Sequence, residues 1–153
     1  MIDAVSLKIL KILQEKARIP NVEVARQVGM APSAVLERIR KLEKQGFIDG
    51  YEVRLNPKRF AKSLVAFVKV KINKLSDEKK VGEKLSRIPQ IQEVHYVAGE
   101  DAFLVKVRVA DTEDLGRLTR DKIAAIASVQ STQTAIALST YKETARIPID
   151  KVD

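Results

Sequence analysis

The sequence contains no cysteine and a single histidine, His95, in 153 residues. Disulfides, thiolate metal sites and thiol nucleophiles are excluded, and a histidine-rich metal cluster with them. Tryptophan is absent and aromatics amount to 5%, so a core must rest on aliphatic side chains. No apolar run approaches the roughly 20 residues a membrane-spanning helix needs. The longest, Leu64 to Val70, is interrupted by Lys69. Met1-Ile2-Asp3 opens no basic stretch followed by an apolar run, so no secretory signal is expected. These absences point to a cytoplasmic protein. No phosphate-binding glycine loop and no nucleophile–base pair is visible, so neither catalysis nor a cofactor is expected.

What the chain has instead is positive charge, a formal +8 with a pI of about 9.7. Such an excess favours polyanions, nucleic acid before anionic membrane, with a merely basic soluble surface as the alternative. Residues 1 to 60 hold 12 Lys+Arg against 7 Asp+Glu, and the remainder 16 against 13, so the charge is denser in the first part.

That first part reads as three helices. Val5, Ile9, Ile12 and Leu13 recur at helical spacing and predict a helix from about Asp3 to Lys16, capped by Asp3 or Ser6. A second runs from Val22 to Val28 with Asn21 as cap, and Gly29 ends it. Pro32 suits the first turn of a third, which continues to about Gln45 and stops at Gly46. Its apolar stripe is Val35, Leu36, Ile39 and Leu42. Residues 47 to 55 read as a short extended segment, a candidate wing. Two short helices joined by Gly29-Met30-Ala31 match a helix-turn-helix. The third helix then offers a polar, basic face to the major groove. Ser33, Ala34 and Glu37 are the candidates for base edges, and Arg38, Arg40 and Lys41 for phosphate or base contacts. A generic three-helix bundle with a solvated basic face fits the same spacing.

Residues 61 to 153 hold a repeat. Ala66-Phe67-Val68-Lys69-Val70-Lys71-Ile72 recurs 37 positions later as Phe103-Leu104-Val105-Lys106-Val107-Arg108-Val109. Each copy is followed by an acidic cluster, an amphipathic helix (77 to 87 and 112 to 126) and another strand (91 to 98 and 129 to 141). The order β-α-β, turn, β-α-β is that of a ferredoxin-like domain, one four-stranded sheet with both helices on one face. Leu64, Ala66, Val68, Val70 and Ile72 should meet the helices. The opposite face carries Val65 and Phe67 beside Lys69, Lys71, Lys106 and Arg108, and a half-apolar uncovered face suggests a homodimer. His95 reads as a packed or interface histidine.

Taken in order, several segments resemble the Lrp/AsnC family, the feast/famine regulators of bacteria and archaea. They are Leu7–Leu10, Glu23–Ala25, Val28–Ser33, Arg38–Ile48 and Asn56-Pro57, then Pro89, Val97–Gly99, Phe103–Val105 and Val129–Thr134. The resemblance covers essentially the whole chain. It implies an α+β protein: an N-terminal winged helix-turn-helix (1–50), a linker (51–62), a ferredoxin-like βαββαβ domain for effector binding and oligomerisation (63–145) and a tail (146–153). It also implies a transcriptional regulator that binds double-stranded DNA as a homodimer, assembling to a tetramer or octamer, with an amino acid as possible effector. By motif match the effector residues are Gly99, Glu100, Asp101, Thr132 and Thr134. Two positions depart from the family pattern. Ala31 stands where a capping Ser or Thr is usual, and Ala102 where the sensor turn usually has an acid, with Asp101 one position early. Two other readings remain: a small-molecule-binding subunit that acts on an enzyme, and an enzyme on a ferredoxin-like scaffold.

Overall fold

The structure, a computed structural model, describes residues 2–149. It divides into two compact units. One comprises the residues up to Arg54 together with the chain from Glu143; the other is Leu55–Lys142. The expected boundaries at 50, 62 and 145 thus differ from these limits. Residues 143–149 group with the N-terminal unit rather than standing apart, while 150–153 of the expected tail lie outside the described residues.

The N-terminal unit contains α1 (Ala4–Glu15), α2 (Asn21–Val28) and α3 (Pro32–Lys44). Asp3 caps α1 by accepting from the Ser6 backbone N–H at 2.7 Å. The cap expected at α2 is absent: Pro20 occupies the cap position without a side-chain bond, and Asn21 is the first helical residue. Proline supplies a φ of −62° there but no side-chain acceptor. The core is aliphatic, with Ile9, Leu13, Val24, Ala25, Val35, Ile39 and Leu42 buried together. Leu36 was expected in that stripe but is 36% exposed. It lies about 100° around the helix from Val35, on the flank of the buried seam. The segment expected as a wing, residues 47 to 55, forms neither helix nor strand. It is held to α3 by the Tyr51 hydroxyl, which donates to Glu43 Oε1 at 2.9 Å.

The second unit contains β1 (Leu64–Ile72), α4 (Glu78–Ser86), β2 (Ile91–Val97), β3 (Ala102–Val109), α5 (Thr112–Arg117) and β4 (Val129–Ile136). The sheet has strand order β2-β3-β1-β4, antiparallel throughout, the ferredoxin-like arrangement. Ala66, Val68 and Val70 of β1 and Phe103, Val105 and Val107 of β3 pack beneath Val81, Leu85, Leu115, Leu118 and Ile123. The second helix is not continuous to 126. After Arg117 it widens into a π-helical stretch, Leu118–Ile123, closed by the Ala124 N–H donating to Thr119 O at 2.8 Å. At α-helical pitch Lys122 would follow Leu115 and Leu118 into the core. One extra residue per turn brings in Ile123, fully buried, and leaves Lys122 outside. β4 ends at Ile136 rather than near 141: its last register pair is Ala66↔Ile136, followed by one further bond from the Ala137 N–H to Val65 O at 2.9 Å.

Candidate functional site

The helix-turn-helix is shaped by its turn. Gly29 takes φ 71°, the left-handed region, and the Met30 N–H returns to Ala25 O at 3.0 Å. Ala25 is buried, which lets the turn close tightly. Burial of Val35, Ile39 and Leu42 fixes the rotation of α3. By helical geometry Ser33, Glu37, Arg40, Lys41 and Lys44 are then directed away from the core, and all five are exposed. Ala34 is half-buried at the flank of that surface. The methyl of Ala31 makes no capping bond, in keeping with its side chain.

Arg38 stands apart from the other expected contacts. Its Nη1 lies 2.6 Å from Asp3 Oδ2 and 3.1 Å from Ser6 Oγ. One carboxylate therefore both caps α1 and anchors α3. The Arg38 guanidinium and the Ser6 N–H hold the Asp3 carboxyl well below the usual carboxylate range. On α2, Glu23 accepts from Arg26 and Gln27, which lowers its pKa to about 2. Burial and the bond to Glu43 push the Tyr51 phenol up to about 12. Lys8 Nζ donates to Gln27 O at 2.8 Å and ties α1 to the end of α2. Two of these interactions hold α3, through Arg38 and through Glu43, and neither uses Arg40, Lys41 or Lys44.

In the second unit the β2–β3 turn uses two left-handed residues, Gly99 (φ 101°) and Asp101 (φ 48°). Glu100 folds over the uncovered sheet face, where its Oε2 accepts from Lys69 Nζ at 2.6 Å, and Lys69 lowers its pKa. Thr132 pairs with Val70 and Thr134 with Val68, so both belong to the helix-covered face, at the edge strand. The five expected effector residues therefore do not converge within one chain: Glu100 lies on one sheet face and the two threonines on the other. Ala102 is fully buried.

Sequence reasoning missed Tyr96. Its ring meets Phe103 edge-on at 5.1 Å along the floor of a groove of about 500 Å³ between α4 and β2. Its hydroxyl is buried without a hydrogen-bond partner. Burial raises its pKa, and the carboxylates of Asp101 and Glu78 add to the effect. The signal was the alternation of Val94 and Tyr96 toward the helices. None of the expected effector residues lines this groove.

Residues 2–49 match the family described as winged helix-turn-helix DNA-binding, and residues 65–147 match the Lrp/AsnC ligand binding domain. The chain belongs to the Lrp/AsnC family. It is thus a DNA-binding transcriptional regulator carrying a ligand-binding domain, in a family of regulators rather than enzymes. The leucine-responsive regulatory protein of Escherichia coli K12 is 34% identical over 150 residues, covering 97% of this chain and 92% of the relative. Among solved structures, AsnC of E. coli superposes with a TM-score of 0.88 at 26% identity, covering 97% of this Lrp/AsnC chain and 99% of the other. A transcriptional regulator of Neisseria meningitidis, solved with L-methionine, gives 0.91 at 27% identity, with 97% of each chain covered. The feast or famine regulatory protein of Mycobacterium tuberculosis, also solved with L-methionine, gives 0.89 at 30%, covering 98% and 100%. Among the described residues no helix is long and apolar enough to cross a membrane.

Proposed function

We propose that this Lrp/AsnC protein is a cytoplasmic homo-oligomer that reads duplex DNA through α3 and whose regulation responds to an amino acid. The outward face of α3 carries the reading. Its exposed Arg40, Lys41 and Lys44 are matched to phosphate, and Ser33, Ala34 and Glu37 lie toward the end that enters the major groove first. Arg38 serves by holding α3 in place. The half-apolar sheet face, with Phe67 40% and Leu104 36% exposed, suits a second copy and supports a dimer, the unit from which a tetramer or octamer is built. The effector site then needs more than one chain, with Gly99, Glu100 and Asp101 from one copy and Thr132 and Thr134 from another. The two L-methionine complexes among the structural neighbours support an amino acid as its ligand.

Fluorescence anisotropy tests this reading. The protein is titrated into duplex from upstream of its own gene and into a scrambled duplex, at two salt concentrations. Preference for the upstream duplex that persists at about physiological salt is expected. Equal binding that collapses as salt rises would leave charge alone as the cause. Repeating the titration with L-methionine or L-leucine tests the effector: a changed affinity supports it, and invariance across the amino acids removes it.

A further inference from the structure

The acid on the outward face of α3 is the least expected residue there, and the fold makes no use of it. Glu37 is exposed, and among the described residues it has no hydrogen bond or ion pair. On α3 the other acid is engaged, Glu43 with Tyr51, as are Asp3 with Arg38 and Glu23 with Arg26. Among the described residues Glu37 shares its lack of a side-chain partner with Glu15, Asp49 and Glu52, none of which lies on α3. Its own neighbour in sequence, Arg38, is turned away to Asp3 and Ser6. Arg40 and Lys41, three and four residues on, sit where a helical ion pair forms readily, yet neither pairs with it.

A free carboxylate on a helix that approaches phosphates is repelled unless it meets a donor. Base edges in the major groove offer few. Guanine presents acceptors only, and thymine an acceptor and a methyl group. Adenine sets its amino donor beside the N7 acceptor, which opposes the second carboxylate oxygen. Cytosine presents its N4 amino group with no acceptor of its own beside it. We propose that Glu37 is a specificity-determining residue that accepts from a cytosine amino group, so that each half-site contains a C·G pair fixed at its position. This rests on the reading of α3 as the DNA-contacting helix.

The test is selection of duplexes from a randomised pool by the full chain, as wild type, Glu37→Gln and Glu37→Ala. Wild type is expected to enrich a motif with one invariant C·G in each half-site. Glu37→Gln should shift that position to A·T, because glutamine pairs with adenine N6 and N7. Glu37→Ala should lose preference at that position alone and bind unrelated duplex more tightly. Changing the C·G to T·A should cost the wild type about tenfold or more in affinity and the alanine variant little. A motif shared by wild type and Glu37→Gln at every position would overturn the assignment. A wild type that enriches no motif would instead remove the DNA-reading function, and this inference with it. Glu37 is exposed, so the variants should melt like the wild type, and a matching thermal transition confirms that a lost preference is not lost fold.

Discussion

Arg38 and Lys41 are three residues apart on one helix and differ in their surroundings. Lys41 is exposed and Arg38 is clasped by Asp3 and Ser6. Lys41→Ala is expected to weaken binding to all duplexes and reduce the salt slope by about one. Arg38→Gln should leave that slope unchanged, since its charge is already paired. Asp3→Asn and Arg38→Gln should each lower the thermal transition, and the double variant should fall no further than the worse single one. Additive losses would show that the two side chains act separately. Glu23 gives a pH-dependent counterpart. Its carboxylate titrates at about 2 when folded against 4.5 ordinarily, so the unfolded chain takes up the proton first. Its stabilisation is present above about pH 4.5 and is lost as pH falls toward 2. Glu23→Gln should therefore flatten the acid limb of a stability–pH curve, and an unchanged limb would reject the assignment.

At the scale of elements, the helix-turn-helix hinges on one backbone conformation. Gly29→Ala meets no steric neighbour but must hold φ 71°. Denaturant unfolding should show a loss of about 1 kcal/mol. DNA affinity should fall more than stability, as α3 shifts. This turn was legible in the sequence because glycine there has one strong reason to exist. The repeat of the second unit was legible too, because β periodicity is a property of neighbouring side chains. Other features depended on distant partners and were not. The π-helical widening at Leu118–Ile123 answers to the sheet beneath it. The end of β4 is set where its pairing with β1 stops, after Ala66↔Ile136, and not by the β-type composition that continues beyond it. The same distinction runs through the sites. Exposure of Ser33, Glu37, Arg40 and Lys41 followed from helical phase alone. The withdrawal of Arg38 toward Asp3, 35 positions away, did not, nor did the placing of Glu100 and Thr132 on opposite sheet faces.

For the whole molecule the open sheet face is the surface proposed for association. Phe67 and Leu104 lie there among Lys69, Lys71 and Lys106, with Lys69 bound to Glu100 and Lys106 3.7 Å from Glu93. Phe67→Glu should keep the fold, because the side chain is 40% exposed in one chain, and should lower the mass seen by sedimentation velocity. DNA affinity should drop with it, since two linked helix-turn-helix units bind far more tightly than one. Unchanged mass would place the association surface elsewhere.

The pairing of Gln14 with Ile147 has a further result. The Gln14 side-chain amide donates to Ile147 O at 2.7 Å and accepts from Ile147 N at 3.0 Å, and Arg146 donates to Glu15 O at 3.2 Å. The polypeptide thus leaves the DNA-binding unit after Arg54 and comes back to it at Glu143. Topologically the sensor is an insertion, moored by two ropes instead of one. A protease that severs the connector near residue 55 would leave the two parts of the chain joined through residue 143.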